Sequence, residues 1–292
     1  MCLRTQKPNL RSIASRFGLG RYKQLDIPWL VERDDRNERI VLSIKTNAKE
    51  ALENAYRKKS RVTGKMIAYV HESCAHFFCE EGWLQEGAVS TYFHNGQANV
   101  FSFFLKEDRQ NSDHERLHRE VLSYVQKIER TLDLSSHAVQ RLNEADTDSL
   151  AQLYRHVFER YPTDVFSAQY LQQTMKEGAK FVGVKEGTDI ICAASAVPNG
   201  FGGWEITDCA TKKEARGNGY LSSVLCELEQ WLWEEGEENV YSITRSHSFG
   251  MNVTIKKRGF SYEGTMVNNC IIGTGFEDMN IWTKRLTATN IR

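Results

Sequence analysis

The stretch from Trp204 to Trp233 constrains the fold more than any other, because it reads as a strand, a charged loop and a helix in close succession. Trp204 to Thr211 is rich in β-branched and aromatic residues, which suits a pleated, partly buried strand. Past Gly219, the residues Leu221, Val224, Leu225, Leu228 and Leu232 recur at helical spacing and form one apolar stripe. The loop carries Arg216-Gly217-Asn218-Gly219 just before the helix begins. Glycines there let backbone N–H groups approach a ligand with no side chain in the way. A helix start adds unpaired N–H donors and the positive end of the dipole, so the site favours an anion such as pyrophosphate.

Two phosphate-binding motifs are excluded by the residues around these glycines. A P-loop ends in Gly-Lys-Ser/Thr, and this chain reads Gly219-Tyr220-Leu221. A dinucleotide-binding turn carries a third glycine directly after its strand, which is missing here. Arg-Gly-x-Gly after a charged loop instead resembles the acetyl-coenzyme A pyrophosphate loop of the GNAT acetyltransferase superfamily. The order downstream agrees: a strand at Tyr241 to Arg245, a short helix from Ser248, a Gly259-Phe260 pair and a further strand. In finer detail EITDCAT…ARGNG, SFGMNVTIKKRGF and GTMVNNCIIGTGFEDMNIW resemble the β-lysine N-acetyltransferase family, closely over residues 143–286. That family acetylates the side-chain amine of β-lysine to make a compatible solute.

A chain of 292 residues is long enough for two domains. Its 38 basic and 38 acidic residues cancel, so no bulk charge recruits nucleic acid or an anionic membrane. There is no apolar run of bilayer-spanning length and no secretory signal, and seven irregularly spaced cysteines suit reduced thiols. The expectation is a cytoplasmic protein with a small-molecule amine as its partner, no nucleic acid and no membrane; a homodimer is left open. Residues 1–25 are basic, which permits a transit peptide but fits a solvated arm better.

From Glu38 the pattern is βαβ, with strands over 39–44 and 66–70, helices over 48–59 and 73–81, and a strand over 100–105 after a turn at Asn95-Gly96. Gly82-Trp83-Leu84-Gln85-Glu86-Gly87 and Gly259-Phe260-Ser261-Tyr262-Glu263-Gly264 share the pattern Gly-aromatic-x-x-Glu-Gly. Each comes after a strand and short helix and precedes two strands, so an internal duplication is indicated. Nothing between Glu38 and Val70 resembles Arg-Gly-x-Gly. Residues 1–130 therefore read as a degenerate GNAT-like half without an acetyl-CoA loop, which pads the catalytic domain or walls the substrate cleft. Residues 137–292 read as the catalytic domain. A polar stretch over 107–135 reads as an amphipathic helix bridging the two. The fold class is α/β (α+β), a central mixed, mostly antiparallel sheet flanked by helices. His71, Cys74, His76 and Cys79 lack the spacing of zinc ligands, so no metal is expected.

Acetyl transfer to an amine with a pKa near 10.4 requires a base. Alternation along the strand places Glu205, Thr207 and Cys209 on one face and Asp208 on the other. The resemblance implies Glu205 as general base, with Asp208 as alternative base or binder of a substrate ammonium. The tyrosine that many GNAT enzymes use to protonate the leaving thiolate is replaced by Ile255, which leaves Ser248 as a candidate donor. The resemblance also implies that acetyl-CoA, the co-substrate, contacts Cys209, Ala210, Thr211, Arg216, Gly217, Asn218, Gly219, Tyr220 and Asn252. Tyr154, Tyr161, Asp164, Arg245, Asn268 and Asn269 are the candidate acceptor residues, Arg245 as a bidentate partner for a carboxylate. The family's Tyr-Pro-Phe-Pro-Ile is here Tyr161-Pro162-Thr163-Asp164-Val165, which opens β-lysine itself to question. A polyamine or protein lysine as acceptor, and a non-catalytic acetyl-CoA sensor, are the alternatives.

Overall fold

The computed structural model describes residues 27–130 and 137–291, so the basic arm over residues 1–25 lies outside the described residues. Twelve described strands form one sheet in the order β1-β2-β3-β5-β4-β11-β12-β10-β9-β8-β7-β6. The first five are β1 (Trp29–Asp34), β2 (Arg39–Ile44), β3 (Lys65–His71), β4 (Leu84–Val89) and β5 (Ala98–Phe104). The rest are β6 (Val139–Leu142), β7 (Lys180–Glu186), β8 (Asp189–Pro198), β9 (Trp204–Thr211), β10 (Asn239–Arg245), β11 (Ser261–Ile272) and β12 (Gly275–Arg285). Among these described strands only β2/β3 and β9/β10 pair in parallel. No described helix is long and apolar enough to cross a membrane.

Seven described helices pack on this sheet: α1 (Ala48–Lys58), α2 (Ala75–Glu80), α3 (Glu115–Gln126), α4 (Thr147–Val157), α5 (Ala168–Lys176), α6 (Tyr220–Glu234) and α7 (Phe249–Lys257). The apolar stripe of α6 buries Val224, Leu225, Leu228 and Leu232 against Ile206, Val240 and Trp282. Each such side chain contributes roughly 1.5–3 kcal/mol when fully buried. Glu229 shares that buried face, held by Arg258 at 2.7 Å and Lys284 at 2.6 Å. A carboxylate there is tolerated only because it is paired.

From the centre of the sheet outward, the strands run β4-β5-β3-β2-β1 in one direction and β11-β12-β10-β9-β8 in the other. The connections match as well, β2-α1-β3-α2-β4-β5 beside β9-α6-β10-α7-β11-β12. The two Gly-aromatic-x-x-Glu-Gly segments meet at the centre, where Gly87 of β4 is the register partner of Gly264 of β11. A Cβ on Gly87 would stand 2.6 Å from the Glu263 carbonyl oxygen, so a side chain is excluded there. The join is sealed on one face by a shared cluster that includes Tyr69, Tyr92, Phe201, Tyr241 and Ile281.

The parallel pairs differ in a way that positions the site. β2 and β3 pair at six successive residues, from Arg39–Lys65 to Ile44–Val70. β9 and β10 pair at two, Trp204–Val240 and Glu205–Tyr241.

Several sequence expectations need correction. The stretch 107–135 is not one helix: a 3₁₀ turn at Glu107–Arg109 precedes α3, and residues 131–136 lie outside the described ones. Leu117 of its expected apolar face is exposed, while Val121, Leu122 and Val125 pack on the α6 cluster. The helix expected over 73–81 splits into a 3₁₀ turn at Glu72–Cys74 and the short α2. Strands β1 and β6 were not expected.

Candidate functional site

Beyond Glu205–Tyr241 the strands β9 and β10 separate, with Ser242 Oγ donating to the Ile206 carbonyl at 2.7 Å near the apex of the wedge. The wedge holds a cavity of about 880 Å³. Thr207, Asp208, Cys209 and Thr211 line it from β9, and Ser242 to Arg245 line it from β10. Backbone groups that would bond across a sheet are thereby left for a ligand.

After β9, a single 3₁₀ turn at Lys213–Ala215 delivers the chain to Gly217 (φ +84°) and Gly219 (φ +80°). These left-handed conformations suit glycine and strain a side-chain-bearing residue. α6 begins on Gly219 with no side chain capping it, and Gly217, Gly219, Tyr220 and Ser222 all line the cavity. An uncapped helix start of fifteen residues presents N–H donors and a positive dipole end. Arg216 and Lys257 line the same space and add positive charge. A wedge of this size with an uncapped, glycine-flanked helix start fits a pyrophosphate-bearing co-substrate. Asn218 stiffens the loop from outside, its Nδ2 donating to the Ala215 carbonyl at 3.3 Å and its carbonyl bonding His137 Nε2 at 2.9 Å. Ala210 is buried in the cluster beneath α4 and α5.

The acid pair is arranged by a bulge. Between Thr207–Ser195 and Ala210–Ala193, β9 carries one residue more than β8, and Asp208 takes the left-handed backbone (φ +52°). Strict alternation, which separates Asp208 from Glu205, is therefore overturned. Asp208 accepts from Ser195 Oγ at 2.7 Å and from the Tyr161 hydroxyl, and its charge acts on Glu205. Cys209 instead packs with the α6 cluster on the other face. Burial lifts the Glu205 carboxyl to about 7; Asp208 adds to the rise and Arg39 of β2 opposes it. Burial also raises the Asp208 carboxyl, against the hydrogen bonds of Ser195 and Tyr161. Glu205 is thus half-ionised near neutrality, which suits a group that takes up a proton.

The other candidates divide. Tyr161 lines the cavity and stacks on Phe158 with ring centres 4.5 Å apart. Tyr154 is fully buried beneath, its hydroxyl without a hydrogen-bond partner among the described residues. Asp164 is exposed on the loop between α4 and α5, outside the cavity. Ser248 caps α7 by position without a side-chain bond and lines the cavity, while Ile255 is buried in the α6 cluster. Asn252 is fully buried and its side chain is spent inside: Oδ1 accepts from Thr244 at 2.8 Å and Trp282 at 3.0 Å, and Nδ2 donates to the Ser248 carbonyl at 2.8 Å. It braces the β10–α7 corner and is not brought to the cavity.

Arg245 lines the cavity, but its guanidinium already holds Glu277 at 2.7 Å, and Glu277 also takes His247 at 2.8 Å. Asn268 and Asn269 lie at the join of the halves, not in the cavity. Asn268 Nδ2 donates to the Asn111 carbonyl at 2.9 Å, and the Asn269 carbonyl accepts from Arg39 at 3.1 Å. Sequence reasoning missed the groups that the first half brings near Glu205, namely Arg39, Tyr69 and Tyr92, whose phenols feel the Glu205 charge. No signal within β2, β3 or the segment after β4 marks them; only the folding of one half onto the other does.

Residues 147–260 match the Acetyltransferase (GNAT) family. The chain is 33% identical over 226 residues to N-acetyltransferase YodP of Bacillus subtilis, covering 76% of this chain and 82% of that protein. It is 30% identical over 264 residues to a Beta-lysine N(6)-acetyltransferase of Methanococcus maripaludis, covering 87% of this chain and 95% of that protein. Among solved structures, a ribosomal-protein-alanine N-acetyltransferase from Brucella melitensis aligns over 51% of this chain and 99% of its own, with 19% identity and a TM-score of 0.45.

Proposed function

This chain belongs to the GNAT family of acetyltransferases, an N-acetyltransferase that uses acetyl-CoA, and from that premise we propose that it acetylates the side-chain amine of a small diamino acid of the β-lysine type. A compatible-solute role follows from that acceptor. The observation that carries the proposal is the pair of acids on β9: the half-buried Glu205, at the last paired step before the strands part, and the buried, cavity-lining Asp208 on the bulge, whose charge acts on Glu205. A diamino acid presents one amine to be deprotonated and a second, charged amine to be held, and two acids with different environments answer both needs. Support for the acceptor comes from the β-lysine-acetylating relatives, which align over most of their length.

The residues then take these roles. The N–H groups of Gly217, Gly219 and the first turn of α6 hold the pyrophosphate. Acetyl-CoA supplies an acyl thioester. Glu205 takes one proton from the acceptor's ammonium, which frees the nitrogen lone pair to form the new C–N bond; the C–S bond then breaks, a second proton from that nitrogen ends on the departing sulfur, and Glu205 returns its proton to solvent. Asp208 holds the second ammonium, and Ser248, which lines the cavity, is the candidate donor to the departing sulfur. The first half, residues 1–130, walls the acceptor cleft of the catalytic residues 137–292. The pairing of Arg245 with Glu277 favours a second reading, because a site with acids and a neutralised arginine suits a polyamine. A panel of small amines, scored by thiol release from acetyl-CoA, separates the two: lysine or β-lysine should lead. Faster turnover of cadaverine or spermidine than of any amino acid would refute the first reading.

A further inference from the structure

Three charged side chains share one face of the parted strands. Along β10, Thr244 turns to the helix side, where its Oγ1 donates to Asn252 of α7 at 2.8 Å. Tyr241, Ile243 and Arg245 therefore turn to the opposite side, where Tyr241 and Ile243 pack in the cluster at the join. Along β9, Ile206 packs under α6, so Glu205 and Thr207 take that same opposite side. The bulge brings Asp208 round to it as well, against Ser195 and Tyr161. Counted outward from the last paired step, Glu205–Tyr241, Asp208 stands three residues along β9 and Arg245 four along β10. Both line the 880 Å³ cavity, on opposite strands. At about 3.3 Å per residue, Arg245 begins roughly 13 Å from that step, and Asp208, shortened by the bulge, roughly 7–10 Å from it.

Arg245 reaches this space with a donor unfilled. Its Nη2 donates to Glu277 at 2.7 Å, and Glu277 is itself held by His247 at 2.8 Å, so the guanidinium is positioned from β12. Glu277 offsets the charge without filling the fork: Arg245 Nε is buried and has no hydrogen-bond partner among the described residues. A buried donor left unmet is costly, and Nε with Nη2 forms the side of the guanidinium that matches a carboxylate. The Arg245 side chain also keeps 38% of its surface, against 13% for Glu277, so it is the arginine that a ligand meets. The cavity's other cations among the described residues, Arg216 and Lys257, stand beside the start of α6 and on α7, on the pyrophosphate side. Asp208 has no ion-pair partner among the described residues; its carboxylate is held by the hydroxyls of Ser195 and Tyr161.

We propose that the acceptor site reads an amino acid by position along the wedge: Glu205 at the apex meets the reacting amine, Asp208 the near ammonium, and Arg245, farthest out on the opposite strand, the carboxylate. This rests on the diamino-acid reading above and adds to it the residue for the carboxylate and the order of the three groups. β-Lysine presents its groups in that order, because its second amine lies one carbon nearer the reacting end than in lysine. In lysine the second amine and the carboxylate leave the same carbon, and they spread less far between two separated strands.

The test compares, in the full chain, β-lysine with cadaverine, which lacks the carboxylate, and with 6-aminohexanoate, which lacks the near ammonium. Arg245→Gln should lower the preference for β-lysine over cadaverine by about tenfold or more, chiefly through KM of the amino acid. Arg245→Lys should restore part of it. Asp208→Asn should lower the preference for β-lysine over 6-aminohexanoate by a similar factor. Glu277→Gln separates binding from bracing, and does so even if Arg245→Gln folds poorly. It removes the counter-charge, so KM for 6-aminohexanoate should fall relative to KM for cadaverine; an arginine that only braces β12 would weaken both acceptors alike. Equal losses for β-lysine and cadaverine in Arg245→Gln, or no gain for 6-aminohexanoate over cadaverine in Glu277→Gln, overturn the carboxylate assignment while leaving the diamino-acid reading intact. An unaltered ratio in Asp208→Asn overturns the order of the groups. A wild-type preference for cadaverine over any amino acid overturns the reading itself.

Discussion

The Glu86 carboxylate accepts the backbone N–H of Val267 at 2.8 Å, three residues beyond Gly264. Its counterpart is returned across the join: Glu263 accepts the N–H of Ser90 at 2.7 Å, three residues beyond Gly87. Each half thus closes the other's first strand after the crossing glycines, and the six-residue pattern acquires a physical meaning. Its first glycine takes a positive φ after the helix, its aromatic ring enters the core of its own half, and its Glu-Gly pair makes the crossing.

The two glutamates should differ in what they contribute. Glu86 is buried with Lys65 at 2.7 Å and also receives Ser102, and burial lowers the Lys65 amine to about 8 against the pull of Glu86. Glu86→Ala strands a buried ammonium and should cost roughly 3–5 kcal/mol. Glu263→Ala removes one bond from a half-buried carboxylate with no buried cation beside it and should cost about 1 kcal/mol. Chemical denaturation of both variants measures the gap; equal losses would remove the asymmetry claimed for the join.

Gly219→Val places a β-branched residue at a left-handed position where α6 begins. Acetyl-CoA affinity should fall beyond detection in calorimetry while far-ultraviolet circular dichroism stays native. Unaltered affinity would move the pyrophosphate elsewhere. Wild-type titration should give one acetyl-CoA per chain, since β2 and β3 leave no wedge.

Glu205→Gln should lower kcat at least about 100-fold at neutral pH, with acetyl-CoA affinity little altered. A base works when deprotonated, and burial holds this carboxyl at about 7. The wild-type kcat/KM should therefore climb as pH rises through about 7, and the glutamine variant should lack that inflection. A variant that keeps the same profile hands the proton to Asp208 or to solvent.

The same carboxyl should weaken the fold. Its folded pKa of about 7 exceeds the ordinary value of 4.5, so its favourable contribution is present below about 4.5 and lost as pH rises through 7. Glu205→Gln should then be more stable than wild type at pH 8, by on the order of 3 kcal/mol, and equal to it near pH 4. Thermal melts across that range decide; a variant that is less stable at pH 8 would show that the carboxylate is not strained.

β9 was legible to both ends, because a strand of β-branched and aromatic residues leads straight into a glycine-marked helix start and a strong apolar stripe. The bulge was not: Asp208 at φ +52° is no glycine, and an extra residue within a strand changes nothing in composition. β1 reads WLVERD and β6 reads VQRL, edge strands whose charges hide their period. Arg39 was invisible for a different reason, since Asn269, to which it donates across the join, and Glu205, whose charge it opposes, are both distant in sequence. Asn252, Asn268 and Asn269 look like ligand-binding amides in a string of letters, yet two of them hold the join and one the β10–α7 corner.

The zipped pair β2/β3 has a consequence for how chains of this architecture diversify. A half whose parallel strands stay bonded to their tips presents no exposed main-chain edge to a nucleotide, so selection on cofactor affinity does not reach it. On the proposal that the first half walls the acceptor cleft, its facing surface is free to drift with the acceptor alone. New acceptors for a sheet of this kind are then best sought by exchanging first halves against an unchanged second half, much as a lock is rekeyed without replacing the bolt.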